Sequence, residues 1–353
     1  MSEMLPWRHH RISREGILES LEPGIPLRRK LGAIALTGAS LIGLALQADV
    51  SYSDFVTPNV APSVVRADKT LDCHAARALI IVKGGYGIQN SEYTAARIAS
   101  IANEQKMSTY WVNNGTAINI AAVGDEEIAL ADECGVDQII EVGESVGGIE
   151  AALTRNYIIE KVGDRISFPG MLLDSTPGGK DTLKWVNRTL AEQVAENCQF
   201  FKLGDVTMTA ITLLTDQKDE RRLQPWKYWN DVYGGTRSAS MRLRTGQSCM
   251  AGQGFPELNK TVPTHVFYAR SKNPYRDPIV DVDMSEEDIE ARSNGMFEPV
   301  YMDGDGISHA APWDNWAAYE PHYRDVLKQI GAIIVGRELE TWYRKNPHLP
   351  QPK

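Results

Sequence analysis

From residue 78 onward, short apolar β-rich runs alternate with longer stretches of helical composition, and this alternation constrains the fold more than any other feature of the chain. The runs are 78–82 (ALIIV), 109–112 (TYWV), 138–142 (QIIEV), 170–173 (GMLL), 264–269 (THVFYA) and 299–302 (PVYM). Between and after them, 92–106, 125–134, 149–160 and 319–345 carry helical patterns. Strand–helix–strand repetition at this spacing predicts an α/β fold, a mostly parallel sheet with helices on both faces. The strand pattern lapses between Pro177 and Pro263, where a helix is predicted near 181–197 and Trp226, Tyr228, Trp229 and Tyr233 cluster. That stretch, about 178–262, reads as an insertion folded over one end of the sheet as a cap, whose aromatic group either forms its small core, the favoured reading, or lines an apolar substrate pocket. No internal repeat is visible.

Upstream, 31–48 (LGAIALTGASLIGLALQA) is a run of eighteen residues without a charge, directly preceded by Arg28-Arg29-Lys30. The run is at the short end of the spanning range, and a basic cluster on its N-terminal flank alone sets the orientation. The expected organisation is a cytoplasmic tail over 1–30, a transmembrane signal anchor over 31–48, and a linker over 49–69 rich in Pro, Ser, Val and Asp. A single folded domain over 70–353 then lies outside the cytoplasm. An uncleaved anchor is the favoured reading; cleavage after Ala48 would make the domain a secreted one. Residues 49–353 carry 42 acidic and 31 basic side chains, which leaves no electrostatic ground for binding nucleic acid. The four cysteines, Cys73, Cys134, Cys198 and Cys249, are an even number in a chain expected in an oxidising compartment, with three pairings open. None has the spacing of a structural zinc site, and no metal or cofactor is expected.

Gly143-Glu144-Ser145-Val146-Gly147 fits G-x-S-x-G, with a β-rich run before it and a helix-forming stretch after it. Small residues are needed at such a strand-to-helix turn because side chains would clash there, and the helix N-terminus favours negative charge beside the serine oxygen. On this motif, and on the order of features around it, roughly residues 70–345 resemble the α/β-hydrolase superfamily. Those features are the Gly-rich turn Lys83-Gly84-Gly85-Tyr86-Gly87 after an early strand, the serine turn about sixty residues on, an insertion, a strand followed by an acid, and then a histidine.

The resemblance implies Ser145 as nucleophile, the Val146 N–H as one oxyanion donor, and a second donor from Gly85 or, failing that, Tyr86. Lys83 stands where many members of the superfamily have a histidine. Within the implied order only His309 falls after the last strand and before the last helix, where the general base belongs. His9 and His10 precede the apolar run, His74 precedes the first strand, His265 falls in a strand, His322 begins the last helix, and His348 is in a Pro-rich tail. Three carboxylates are open for the acid: Asp277 first, with Asp174 and Asp281 as alternatives.

Other patterns are set aside. Gly178-Gly179-Lys180-Asp181-Thr182 lacks the first glycine and the Ser/Thr of a phosphate loop. Asp303-Gly304-Asp305-Gly306 lacks the remaining ligands of a calcium loop and reads as a turn. The run 285–290 reads as a helix start capped by Ser285, with Asp288 at its third position. The resemblance implies a serine hydrolase cleaving an ester or related acyl bond of a small-molecule or lipid substrate, and the apolar run with its basic flank adds the expectation that it is membrane-anchored and extracytoplasmic. A non-catalytic binding domain of the same fold, or an acyltransferase using the same three residues, would carry the same pattern.

Overall fold

The computed structural model describes residues 60–85, 88–115, 117–184, 241–304, 307, 309–310, 312 and 315–345. The expected tail (1–30), the apolar run (31–48), most of the linker, Tyr86 and 185–240 of the insertion, with its aromatic cluster, lie outside them. Among the described residues no helix is long and apolar enough to cross a membrane.

Seven strands form one sheet: β1 Ser63–Arg66, β2 Ala78–Lys83, β3 Met107–Asn113, β4 Ile139–Glu144, β5 Gly170–Asp174, β6 His265–Ser271 and β7 Phe297–Met302. Their spatial order is β1-β3-β2-β4-β5-β6-β7; β1 runs antiparallel to β3, and every other pairing is parallel. Among the described residues six α-helices accompany them, α1 Ile88–Ala102, α2 Ile120–Cys134, α3 Val146–Val162, α4 Met241–Gln253, α5 Val282–Arg292 and α6 Trp316–Lys345.

Alternation along the strands divides the core between two faces. Ala78, Ile80 and Val82 of β2 pack with Ala95 and Ile98 of α1 and with Tyr323, Leu327 and Ile330 of α6. Leu79 and Ile81 point the other way, against Val123 and Ala131 of α2 and Ile158 of α3. Further along that second face, Met171, Leu173, Val266 and Tyr268 meet Ala152 of α3 and Ile289 of α5.

Three expectations are corrected. The sheet begins inside the stretch expected as linker, because Val64 and Val65 of β1 pair with Val112 and Trp111 on the free edge of β3. The α5 helix is capped by Asp281, which accepts the Met284 N–H at 3.3 Å, and not by Ser285. Ser285 is buried inside the helix, where its Oγ accepts the Gly178 N–H. His322 lies within α6, which starts at Trp316.

Cys73 and Cys134 form a disulfide that ties the segment before β2 to the last residue of α2, and Cys249 is disulfide-bonded as well. The strand order reverses at β2, since β3 lies on one side of it and β4 on the other, both parallel to it. The turns leaving β2 and β4 are therefore neighbours at the carboxyl ends of the strands, the place where open α/β sheets bind their ligands.

Candidate active site

Ser145 occupies the turn between β4 and α3 with φ 53° and ψ −128°, a conformation that non-glycine residues rarely adopt. A serine at a helix N-cap ordinarily turns its hydroxyl onto the helix's free N–H groups. Here it makes no such bond. Its Oγ lies instead 2.7 Å from Nε2 of His309, while its own N–H donates to the Asp174 carbonyl at 2.8 Å. The turn is possible only because residue 147 is glycine: a Cβ there would sit 2.3 Å from the Lys83 carbonyl oxygen of the neighbouring strand. Val146 opens α3, so its N–H is among those with no partner inside the helix, at the end where the helix dipole is positive.

On the other side of the imidazole, His309 Nδ1 lies 2.8 Å from Asp277 Oδ2. The second oxygen, Oδ1, accepts the N–H groups of Ile279 at 2.8 Å and Val280 at 2.9 Å, which fixes the carboxylate in one orientation. The sequence spacing that sets Asp277 far from its strand is taken up structurally, because β6 runs on to Ser271 and a single 3-10 turn, Pro274–Arg276, follows it. The Asp277 side chain is 1% exposed and that of His309 11%, so the array is closed on the acid side and opens on the serine side. Burial alone would raise the Asp277 pKa. The facing His309 and the two backbone donors outweigh it and hold the carboxyl below its ordinary value.

Neither alternative acid faces His309 in this way. Asp174 ends β5, fully buried, where Oδ2 accepts the Tyr323 hydroxyl at 2.9 Å and Oδ1 the Ser175 hydroxyl at 3.1 Å. Its pKa is pushed up to about 7, first by burial, which the hydrogen bonds from Tyr323 and Ser175 oppose only in part. Glu144 is its cross-strand partner, and burial with Asp174 alongside raises that carboxyl well above its usual range. Asp281 is occupied as the cap of α5.

The Gly84–Gly85 turn leaving β2 stands directly beside the serine: a Cβ on Gly85 would lie 3.0 Å from Ser145 Cβ. Tyr86, the other candidate donor, is outside the described residues. Lys83, which breaks the expected resemblance at this turn, has a structural explanation. Its fully buried ammonium donates to Glu127 at 2.7 Å and also to Glu141, tying the end of β2 to α2 and β4. Burial would lower the Lys83 pKa, but the two glutamates outweigh it and raise it. Glu150, close by on α3, accepts from Asn114 at 2.9 Å and is pushed up to about 7, chiefly by burial.

Sequence reasoning misses Glu144, Tyr323, Gln247 and the Lys83 cluster as parts of this region. Its one available signal is a charge inside an apolar strand run, at Glu141, since Lys83 and Glu144 fall just past the ends of theirs.

A seven-stranded, mostly parallel sheet, a serine at positive φ between strand and helix, and the chain order Ser145, Asp277, His309 define one architecture. This is the α/β-hydrolase fold. No family model and no curated protein matches the chain. Among solved structures, it is similar to a highly thermostable carboxyl esterase from Bacillus coagulans, at 10% identity and a TM-score of 0.49, covering 78% of this chain and 99% of that one. It is likewise similar to a thermophilic esterase from Thermogutta terrifontis, at 14% identity and a TM-score of 0.43, covering 77% of this chain and 93% of that one. A third is the 2-hydroxy-6-oxo-6-phenylhexa-2,4-dienoate hydrolase of a Rhodococcus species, at 14% identity and a TM-score of 0.44, covering 74% of this chain and 98% of that one.

Proposed function

We propose that the protein is a serine hydrolase that cleaves an ester or related acyl bond through an acyl-enzyme. The observation that carries this reading is the unbroken hydrogen-bonded line from Asp277 through His309 to Ser145, ending at a strand-to-helix turn. Ser145 Oγ forms a bond to the acyl carbon while its proton passes to His309 Nε2. The tetrahedral adduct then collapses, the bond to the leaving alkoxide breaks, and the alkoxide takes the proton from His309. Water, deprotonated by the same histidine, repeats the sequence on the acyl-enzyme, releasing the acid and restoring the serine. Asp277 holds the imidazole with its Nδ1 proton toward the carboxylate and stabilises the imidazolium. The N–H of Val146, with Gly85 supplying the second, stabilises the oxyanion.

The substrate class is a small-molecule or lipid ester, and neither a metal nor a cofactor takes part in this scheme. Placement at a membrane, with the domain on the extracytoplasmic side, rests on the apolar run 31–48 behind Arg28-Arg29-Lys30. The Cys73–Cys134 disulfide supports the same placement, since such bonds persist in oxidising compartments. The test is turnover of a short-chain p-nitrophenyl ester by purified protein. Hydrolysis by the wild type, lost in both Ser145→Ala and His309→Ala, is the expected result. Equal turnover in either variant would remove these residues from the chemistry, and no turnover by the folded wild type would favour a binding domain.

A further inference from the structure

The returning end of the insertion reaches back into the site. Helix α4 packs Met250 and Ala251 into an apolar cluster with Val146 and Ile149 of α3, Leu183 at the start of the insertion, and Val280 just after Asp277. From the same helix Gln247, 2% exposed, donates its Nε2–H to the Gly85 carbonyl at 2.7 Å. At the insertion's other end, Lys184 donates from its backbone to Ile279 at 2.9 Å and from Nζ to the Asp277 carbonyl. The two ends of the insertion thus hold the two turns that flank Ser145 and His309.

The bond to Gly85 matters because of what else restrains that residue. Lys83 is pinned by its glutamates, but its ties end one residue before the Gly84–Gly85 turn. Glycine has no Cβ to limit its backbone, so the torsions of Gly85, which join the peptide unit carrying its N–H to the unit carrying its carbonyl, are held by whatever that carbonyl meets. That partner is Gln247. The tie is an enclosed one, since Gln247 is buried where it meets the Gly85 carbonyl.

We propose that Gln247 is a positioning residue for the oxyanion turn: by holding the Gly85 carbonyl it fixes the turn beside Ser145, and activity therefore depends on α4 of the insertion. The inference rests on the serine hydrolase reading. It assigns no contact between Gln247 and substrate.

The experiment compares wild type with Gln247→Met, which keeps length and removes the donor, and Gln247→Asn, which keeps the donor and draws it out of reach. Leu258→Ala, in the separate cluster around Met171 and Phe255, serves as a destabilised control. All are normalised by active-site titration with a fluorophosphonate, so that misfolded protein drops out. The expected result is a fall in kcat of about 10- to 100-fold in both Gln247 variants, smaller than the loss of an oxyanion donor itself, with KM little changed. Affinity for a boronic acid, which mimics the tetrahedral adduct, falls by the same factor as kcat/KM. Leu258→Ala lowers Tm but retains wild-type kcat and boronate affinity per titrated site. Wild-type kcat and boronate affinity in both Gln247 variants would overturn the inference while leaving the hydrolase reading intact. A wild type that does not titrate would overturn that reading and this inference with it.

Discussion

The loop after β6 and the end of β5 each bury a carboxylate, and the two are driven in opposite directions. Asp277 and Asp174 are both 0% exposed, so burial presses each toward the protonated form. Asp277 meets a histidine and two backbone N–H groups and stays below its ordinary pKa. Asp174 meets two hydroxyls, with Glu144 paired beside it, and rises to about 7. Burial does not decide the charge of a carboxyl; the partners that remain after burial do. On the proposed chemistry, the ionised acid orients the general base, and the acid with the raised pKa is part of the floor beneath the nucleophile turn, holding Ser145 through its backbone carbonyl.

Breaking this contrast should have its largest effect at Asp277. Asp277→Asn keeps the shape but favours the wrong imidazole tautomer, and kcat on a p-nitrophenyl ester should fall about 10⁴-fold per titrated site. Asp174→Asn should change kcat less than about tenfold, because the Ser145 N–H bonds its backbone and not its side chain. If the two losses were equal, the distinction between the acids would fail.

Stability against pH sharpens the same comparison. With its folded pKa raised from 3.8 to about 7, Asp174 stabilises most below 3.8, and that contribution is lost as pH rises through about 7. Asp174→Asn should therefore gain on the wild type between pH 4 and pH 8, by about 4 kcal/mol at most in urea titrations. Asp277 has the opposite sign: its contribution is present above the ordinary carboxylate pKa and is lost as pH falls through the lowered one. An Asp174→Asn variant whose stability tracked the wild type across that window would contradict the assignment.

Distant from both acids, removing the Cys73–Cys134 bond in a Cys73→Ser/Cys134→Ser variant should cost about 3 kcal/mol. It should leave kcat per titrated site unchanged, and a matching loss of kcat would mean that the acids report general loosening. The smallest effect belongs to Tyr323→Phe, which removes one donor to Asp174. It should cost about 1 kcal/mol at pH 8, less at pH 4, and change kcat less than about threefold.

How far the sequence carries these features differs from place to place. Strand interiors such as 78–82 are legible because side chains on both faces are apolar, as a strand covered by helices requires. Their ends are not, since Lys83 and Glu144 read as loop residues but remain in the sheet, buried. β1 escapes notice as four residues in a Pro- and Ser-rich stretch, paired along one edge only. In the site, Ser145 and His309 follow from motif and chain order. The choice among Asp277, Asp174 and Asp281 does not, because distance along the chain from a strand does not single one out and only contacts separate them. Gln247 has no local signal at all: its partner Gly85 is 162 positions away, and the bond is made to a backbone carbonyl.

The central claim is that Ser145 is a nucleophile activated by His309, and covalent labelling tests it most directly. Wild type treated with a fluorophosphonate should gain the mass of one phosphonyl group, mapped by tandem mass spectrometry to Ser145. The adduct should be absent in Ser145→Ala and form far more slowly in His309→Ala. A modified Ser145→Ala protein, or labelling of His309→Ala at the wild-type rate, would contradict the account.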